Sequence, residues 1–236
     1  MGLKEQLQTR VDNILSVTWN IRDGQVVPTT DGVNLSNGAV KLEAAYLYAD
    51  LADSTTLARD FDRKTAARVV RSYLHVMSKL VRAYDGEIRS FDGDRVMGIF
   101  ITGAKRSNAA KCCLKMNWAF LNIVRPSIEA KYPSLKKGGY TLEHCAGVDV
   151  GEVLMVRAGV RGSNDLISIG AAPNIAAVLS DFRAAPYRSY ITSAVYRRLL
   201  DASKYSKGVD MWKPRSITVK GKEMTVYRSS YHWKVS

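Results

Sequence analysis

From Val40 onward, the hydrophobic pattern of this 236-residue chain alternates between the period of a strand and the period of a helix. The strand-like stretch "AAYLYADLA" is followed by a long amphipathic pattern over residues 54–85, which predicts a helix. Two short strand-like runs then flank Asp92-Gly93, a dipeptide typical of a type I′ hairpin turn. A second helix is predicted next, bent near Pro126.

The second half of the chain repeats this rhythm. "TLEHCAGVDVGEVLMVRAG" predicts two strands joined near Gly151, "NDLISIG" a short strand and "AAPNIAAVLSDF" a helix. "RSYITSAVYRRLL" predicts a strand and a helix, and a closing hairpin is expected to turn at Lys220-Gly221. This order predicts an α+β fold with the ferredoxin-like βαββαβ pattern, a mostly antiparallel sheet and extra C-terminal α/β elements.

The first 40 residues have a different character. Apolar residues at helical spacing predict a short amphipathic helix over residues 3–17. Residues 18–40 are polar and rich in turn formers, so we expect an extended arm with little regular structure. The predicted organisation is an N-terminal helix and arm over residues 1–40 and one main domain over residues 41–236.

The composition limits the classes of ligand and partner that we expect for this protein. The 35 Lys and Arg against 22 Asp and Glu leave a net charge of +13, which attracts polyanions such as nucleotides. No run of five consecutive basic residues exists, which argues against a dedicated nucleic-acid arm. Three Cys without C-x-x-C spacing predict neither a disulfide framework nor a zinc site. A charged start and the lack of a long apolar run predict no membrane span and a cytoplasmic protein.

Two carboxylates are expected to meet at one edge of the sheet. In this fold the first long strand and the hairpin are neighbours, so Asp50 and Asp94 would lie close together. Ionised carboxylates at short distance repel unless a cation lies between them, and oxygen ligands favour Mg²⁺ or Mn²⁺. The alternative is that Asp50 is only a turn residue at a strand end. Asp53, just before "STTLARD", is predicted to cap the following helix.

Four blocks of sequence carry a resemblance to a known family. "YLYADLADSTTL", "GEIRSFDGDRVMGIF", "AGVDVGEVLMVRAGVRGSNDLISIGAAPNIAAVL" and "YITSAVYRRLL" resemble the class III nucleotidyl cyclase domain in order and spacing, over about residues 42–200. The resemblance implies a homodimer with shared active sites, two divalent metal ions, and conversion of a nucleoside triphosphate to a 3′,5′-cyclic monophosphate plus pyrophosphate.

Several site residues follow from the same resemblance. Asp50 and Asp94 match the family's two metal-binding aspartates, and Leu51 matches the residue whose backbone carbonyl contacts a metal. Ser54 and Thr55 match the helix start that contacts phosphate.

Another part of the predicted site is supplied by the second protomer. Asn174 matches the asparagine that positions the ribose in the transition state, and it would come from that protomer. The family's transition-state arginine is replaced here by Val178. Arg183 or Arg95 is the predicted substitute, unless catalysis is weak.

The positions that select a purine base also depart from the family. The residue that is Lys or Glu in purine cyclases is Ser90 here, and its partner position is Ile167. A site without these polar groups discriminates poorly in favour of adenine. Tyr46 and Tyr48 would narrow the pocket for a smaller base.

A cyclase domain with these departures resembles the bacterial pyrimidine cyclases of Pycsar antiphage systems. That resemblance implies a uridylate cyclase that uses UTP and makes cyclic UMP, a signal that a downstream effector detects. The alternatives left open are a cytidylate cyclase, an adenylate cyclase with atypical base contacts, and a catalytically weak nucleotide sensor.

Overall fold

The computed structural model describes residues 2–219 and 221–235. The chain forms two compact units. The first contains the residues up to Glu43 together with Glu152–Gly170, and the second contains Ala44–Gly151 together with the residues from Ala171 onward. The division at residue 40 stays a prediction.

The α-helices, numbered in chain order, are α1 Leu3–Leu15, α2 Ser54–Asp60, α3 Arg63–Ala83, α4 Lys105–Ala119, α5 Arg125–Lys131, α6 Pro133–Lys137, α7 Ala171–Ser180, α8 Ser193–Tyr196 and α9 Asp201–Lys204. The strands are β1 Asn20–Asp23, β2 Gly38–Leu51, β3 Glu87–Asp92, β4 Arg95–Phe100, β5 His144–Val160, β6 Ser163–Ile169, β7 Ser189–Thr192, β8 Tyr205–Ser206, β9 Val209–Asp210, β10 Lys213–Val219 and β11 Lys222–Ser229. In the described part of the chain, no helix is both long and apolar enough to cross a membrane.

The first unit contains more regular structure than its sequence predicted. Strand β1 pairs in parallel with the start of β2, from Asn20 opposite Gly38 to Asp23 opposite Lys41. The expectation of little regular structure over residues 18–40 is therefore wrong. The hydrogen bonds of a parallel pair join segments far apart in sequence, and local polar composition does not reveal them.

Helix α1 confirms the predicted N-terminal helix, although it ends at Leu15. None of its residues is buried, and its apolar side chains remain exposed, with Leu3 at 71% and Leu7 at 59%. The chain alone therefore gives this amphipathic helix no apolar surface to cover.

The second unit is built on a sheet with the strand order β10-β11-β7-β5-β2-β4-β3. Strand β2 pairs antiparallel with β4, and β3 pairs antiparallel with β4, whereas β5 and β7 are parallel. Alternate residues of β2, including Leu47 and Ala49, join α3 and α4 side chains in one hydrophobic core. The predicted α+β fold with a mostly antiparallel sheet is confirmed.

The helix predicted over residues 54–85 is two helices. Phe61 is extended and ends α2, and Asp62 then starts α3 because its carboxylate accepts a hydrogen bond from the Thr65 N–H at 2.9 Å. The amphipathic period continues across the break, so periodicity alone did not show it.

The predicted bend in the second helix is confirmed. Helix α4 ends at Ala119, a π-helical turn covers Phe120–Val124, and α5 begins at Arg125, directly before Pro126. The proline has no N–H to donate to the preceding turn, which allows the helix to widen there.

Strand β5 corrects a further prediction, because it runs without interruption through Gly151. Its early residues pair with β7 and its later residues pair with β6. Glycine was interpreted as a break, but here it keeps an extended conformation. The closing hairpin joins β10 to β11 as predicted, while Lys220 of its turn lies outside the described residues.

The hairpin between β3 and β4 forms where it was predicted, with a different turn. Asp92 pairs with Arg95, so Gly93 and Asp94 are the central residues. Gly93 has a φ of 60° and Asp94 does not have a positive φ. This fits a type II′ turn rather than the predicted type I′ turn, which needs a positive φ at both positions. The carboxylate of Asp94 therefore projects from the hairpin tip.

Candidate active site

Asp50 and Asp94 come together at one end of the second unit's sheet. Asp50 lies near the end of β2, directly opposite Arg95 at the start of β4, and is 6% exposed. Burial and the neighbouring charge of Asp50 raise the pKa of Asp94, while a hydrogen bond with the Ser54 hydroxyl opposes this shift. The structure thus brings together the two carboxylates that the sequence placed near each other, and they repel.

Two guanidinium groups compensate the charge of Asp50. Arg183 donates from Nη2 to Asp50 Oδ2 at 2.8 Å, and Arg95 Nε lies 3.4 Å from Asp50 Oδ1. Arg95 also donates to Asp181 Oδ1 at 2.6 Å. The sequence analysis did not single out Asp181. Burial raises the pKa of its carboxyl group, although the charge of Arg95 opposes this shift. Three carboxylates and two arginines therefore form one connected cluster.

Arg183 reaches this cluster because helix α7 ends before it. The sequence predicted this helix as far as Phe182, and on an ideal helix that continued further Arg183 would point in a different direction from Val178. Instead α7 ends at Ser180, and Arg183 Nη1 donates to the Ser180 carbonyl at 2.7 Å. This contact holds the guanidinium beside Asp50 of the same chain.

The loop between β2 and α2 is fixed by the backbone around Ala52. Its carbonyl accepts a hydrogen bond from the Tyr140 hydroxyl at 2.9 Å, and its N–H donates to the Glu143 carbonyl at 2.8 Å. Leu51, just before it, is the last residue of β2 and is buried. These bonds hold the Leu51 peptide next to Asp50.

The start of α2 places its hydroxyl residues as follows. Ser54 is partly buried, and its hydroxyl forms a hydrogen bond with the Asp94 carboxylate. Thr55 is exposed. Asp53 precedes the helix with a φ of 54°, and its side chain makes no capping hydrogen bond. The prediction that Asp53 caps α2 through its side chain is therefore wrong, because the left-handed backbone directs the carboxylate elsewhere.

The predicted ribose-binding residue Asn174 lies on α7. It lines a cavity of about 480 Å³, and Val178 lies one helical turn further along the same wall. Lys222 and Glu223 of the closing hairpin line the opposite side. Neither Asp50 nor Asp94 lines this cavity. Lys222 was not predicted, although the Lys-Gly-Lys sequence of this hairpin was a signal for it.

The predicted base-contact residues are spread over both units. Ser90 lies in β3 opposite Met97 and is partly buried. Ile167 lies in β6 of the first unit and is 44% exposed.

The two tyrosines of β2 differ in accessibility. Tyr46, Tyr48 and Asp50 alternate with the core residues of β2, so they share the opposite face of the strand. Tyr46 is 0% exposed, whereas Tyr48 is partly exposed, and burial raises its pKa. A fully buried side chain cannot contact a ligand directly, so Tyr48 replaces Tyr46 as the candidate for base contact.

A buried polar pair, Tyr73 and His144, lies near the site. The Tyr73 hydroxyl lies 3.4 Å from His144 Nδ1. Burial, together with Arg188 and Arg183, lowers the pKa of His144 to about 3. Burial and Asp50 raise the pKa of Tyr73. Both groups stay neutral near pH 7 and support the site by packing.

The donor atoms at the site suit a hard divalent cation. The candidate ligands are the Asp50 and Asp94 carboxylates and the Leu51 carbonyl, all of them oxygen. Among the residues described, no group of three or more His, Cys, Asp or Glu is arranged to hold a metal ion. Two carboxylates are nevertheless enough for Mg²⁺ or Mn²⁺ when a substrate's phosphates complete the coordination. Burial and the charge of Asp50 raise the pKa of Asp94, and a cation held by both carboxylates would offset that repulsion.

Three curated relatives match the chain from end to end, and all three are named uridylate cyclase. The protein from Rhodovulum sp. (strain MB263) is 42% identical and covers 99% of this chain and 98% of its own length. The protein from Burkholderia cepacia is 36% identical and that from Xanthomonas perforans 34%, each with full coverage of both chains. No family model matches the sequence.

Solved structures show the same fold at lower identity. The guanylyl cyclase Cya2 has a TM-score of 0.65 at 17% identity and covers 82% of this chain and 94% of its own. The adenylyl cyclase CyaB from P. aeruginosa has a TM-score of 0.61 at 23% identity, with 81% and 95% covered. A bacterial light-regulated adenylyl cyclase has a TM-score of 0.68 at 23% identity, with 86% and 56% covered.

These likenesses extend over the elements that carry Asp50 and Asp94. The full-length identity to several curated relatives is well above the level at which a shared fold alone would explain it. The chain therefore belongs to the uridylate cyclase family and is a nucleotidyl cyclase with the class III catalytic fold.

Proposed function

We propose that this protein is a uridylate cyclase that converts UTP to 3′,5′-cyclic UMP and pyrophosphate. The ribose 3′-oxygen forms a bond to the α-phosphorus, the bond from that phosphorus to the pyrophosphate oxygen breaks, and the hydroxyl proton is released. Support comes from the names of three full-length relatives and from the paired carboxylates in the site.

The observation that carries the proposal is the pair Asp50 and Asp94. Their placement at adjacent strand ends supports a site for two divalent ions, Mn²⁺ or Mg²⁺, held by both carboxylates and the Leu51 carbonyl. Such ions, when bound, acidify the attacking hydroxyl and neutralise phosphate charge. The Ser54 hydroxyl orients Asp94 through its hydrogen bond, and the adjacent Thr55 is exposed where a phosphate could be contacted.

The chain's own cations have a second role in this proposal. Arg183 and Arg95 form ion pairs with the Asp50 carboxylate and orient it. When a triphosphate enters, these guanidinium groups are close cations able to contact its oxygens. Arg183 thereby compensates for the missing arginine at Val178.

The active unit is proposed to be a homodimer with shared sites. Asn174 lines a cavity that contains neither metal-binding carboxylate, which supports a site completed by a second copy. Most of the large hydrophobic side chains that are exposed in the described chain belong to the first unit, among them Leu7, Val11 and Trp19. A second copy is the proposed cover for this apolar surface.

The pyrimidine preference rests on the absence of purine-selecting groups. Ser90 and Ile167 cannot reproduce the paired contacts to a purine edge, and in this proposal the partly exposed Tyr48 narrows the base pocket. The names of the relatives favour UTP over CTP. In this proposal the reaction takes place in the cytoplasm, and cyclic UMP is the signal that activates an effector in antiphage defence.

The test uses purified protein, Mn²⁺ and UTP, with product identification by mass spectrometry. Cyclic UMP and pyrophosphate should form in equal amounts, and Asp50→Asn and Asp94→Asn should each lower turnover at least about a hundredfold. Asp92→Asn removes an exposed carboxylate from the same hairpin and should leave the rate within about twofold. Full activity in both site variants would refute the carboxylate mechanism.

A nucleotide sensor without turnover is the second candidate. It is favoured by the two arginines that already compensate Asp50 and by the valine at position 178. This candidate predicts that UTP binds to the protein and is recovered unchanged after prolonged incubation with Mn²⁺.

A further inference from the structure

The solvent face of α3 carries a continuous row of basic side chains. Arg68, Arg71, His75, Lys79 and Arg82 follow one another at intervals of three or four residues, so they lie along one face of the helix. All five are exposed. No ion pair involves any of them within residues 2–219 and 221–235. We call these five residues the α3 basic row.

The opposite face of α3 is in the core, so this row is separate from the active site. Ala66, Val69, Tyr73 and Met77 are buried in α3 against the core. The row therefore lies on the outer surface of the second unit. It is not part of the cluster of carboxylates and arginines in the active site.

A groove runs beside the α3 basic row. One cavity of about 510 Å³ lies along its N-terminal part, between Arg68 and Val76, and another of about 470 Å³ extends from Arg71 to Arg82. Arg71 and His75 line both cavities, so the two are continuous along the helix. The lining of each cavity contains no Asp or Glu. A polyanion in this groove would meet cations without a competing acid.

The far wall of the groove is apolar. Ile88 and Phe91 of β3 line the larger stretch of the groove beside Arg71, Lys79 and Arg82. Phe91 is 56% exposed, so its ring is accessible from the groove. The groove therefore combines cations on one side with an accessible aromatic ring on the other.

We propose that this groove binds single-stranded nucleic acid. From Arg68 to Arg82 the row extends over about 21 Å, with basic side chains about 4.5–6 Å apart along the axis, at a rise of about 1.5 Å per residue. This spacing matches the repeat of phosphates along an extended strand. Non-specific single-strand sites combine a basic groove with aromatic rings on which bases stack, and Phe91 supplies such a ring.

Other polyanions fit the groove less well. An anionic membrane would meet a flat basic face, whereas here the cations border a groove with an apolar wall. An acidic peptide would use the cations and leave Phe91 exposed. A duplex cannot offer an unstacked base to Phe91 without losing a base pair.

The groove is joined to the catalytic hairpin by β3. Phe91 precedes Asp94 by three residues in the same hairpin, and Asp92 between them pairs with Arg95. A nucleic-acid strand bound at Phe91 would thus contact the same hairpin that carries Asp94. This consequence, regulation of turnover by nucleic acid, rests on the proposed function, whereas binding itself does not.

The test measures binding of fluorescein-labelled oligouridylate and oligodeoxythymidylate, each of about twenty nucleotides, to the full chain by anisotropy. Arg71→Ala with Lys79→Ala should weaken binding at about 50 mM salt by at least about tenfold and reduce the salt slope of log K by about 1.4, the value for two lost contacts to a single strand. Lys136→Ala with Lys137→Ala removes the same charge from the exposed end of α6 and should change affinity less than about twofold.

Substitution of Phe91 is a second, independent part of the test. Phe91→Ala should weaken binding by about 5-fold or more, as expected for the loss of one stacking contact, and Phe91→Trp should retain it. Addition of UTP should not displace the oligonucleotide, because the groove is separate from the active site.

Three results would overturn the proposal. They are no binding by the wild type at low salt, equal losses in the α3 and α6 variants, and tighter binding to phosphatidylserine vesicles, polyglutamate or duplex DNA than to either single strand. Oligonucleotide binding by a wild-type protein that does not turn over UTP would leave this proposal intact while the proposed function fails.

Discussion

The Asp50 carboxylate contacts the guanidinium groups of Arg95 and Arg183, which sequence analysis predicted only as alternatives. The strand order places Asp50 opposite Arg95, so this contact follows from the predicted fold. The contact with Arg183 joins residues 133 positions apart and depends on where α7 ends. Helix ends are set by backbone geometry that hydrophobic periodicity does not record. The carboxylate pair and its contact with Arg95 were therefore predictable, and the contact with Arg183 was not.

The raised pKa of Asp94 has a measurable effect on stability. Its folded-state pKa lies above its ordinary value, so the native state binds more protons than the unfolded chain in the window just above pH 3.8. Stability from this group is greatest at low pH and is lost as the pH rises through the folded pKa. Asp94→Asn should thus raise the melting temperature at pH 7 in chelator, with a smaller gain at acidic pH.

Calorimetric scans of both proteins across pH check this, with Asp92→Asn as the exposed control. Addition of Mn²⁺ should stabilise the wild type and leave Asp94→Asn nearly unchanged. A variant that is less stable than the wild type at every pH would show that the two carboxylates do not repel.

Among the elements, the β3–β4 hairpin has the closest link to catalysis. Its position was predicted from Asp92-Gly93, but the turn is shifted by one residue, so the glycine takes the first central position and Asp94 the second. A one-residue shift of this kind is decided by pairing with β2 and β4 rather than by the dipeptide. The continuity of β5 was likewise decided by its pairing with β6 and β7, whereas the break between α2 and α3 follows from the local cap that Asp62 provides.

Gly93→Ala tests the geometry of the hairpin. The φ of 60° disfavours a Cβ, although a Cβ at this position would meet no atom within 4 Å. The cost is therefore backbone strain alone, about 1–3 kcal/mol. We expect a drop of that size in unfolding free energy and a larger loss of cyclase activity, because Asp94 moves with the turn.

Gly93→Asn is the matched control, since asparagine is better tolerated than alanine at the positive-φ position of a type II′ turn. It should lose less stability and less activity than alanine when both are measured by urea denaturation and product formation. Equal activity in the wild type and Gly93→Ala would mean that the turn conformation does not position Asp94.

For the whole molecule, the proposed homodimer assigns one active site to two chains. Sequence analysis predicted this arrangement through the family resemblance, and the separation of Asn174 from the carboxylate pair supports it. The exposed apolar face of α1 was visible as a helical pattern in the sequence. What that pattern could not show is that the single chain leaves it uncovered.

Mixing two inactive variants tests the shared site. Asp50→Asn and Asn174→Ala should each be inactive alone, because each damages every site of its homodimer. After subunit exchange, half of the dimers are heterodimers with one intact site of two, so activity should recover to about a quarter of the wild-type value. No recovery despite exchange, shown by size-exclusion of differently tagged chains, would contradict shared sites.

The central claim is tested most directly by offering the wild-type protein an equimolar mixture of ATP, GTP, CTP and UTP with Mn²⁺ and identifying the cyclic products by mass spectrometry. The account predicts cyclic UMP as the dominant product, formed with pyrophosphate and absent with Asp94→Asn. Cyclic AMP or cyclic GMP as the main product would contradict it.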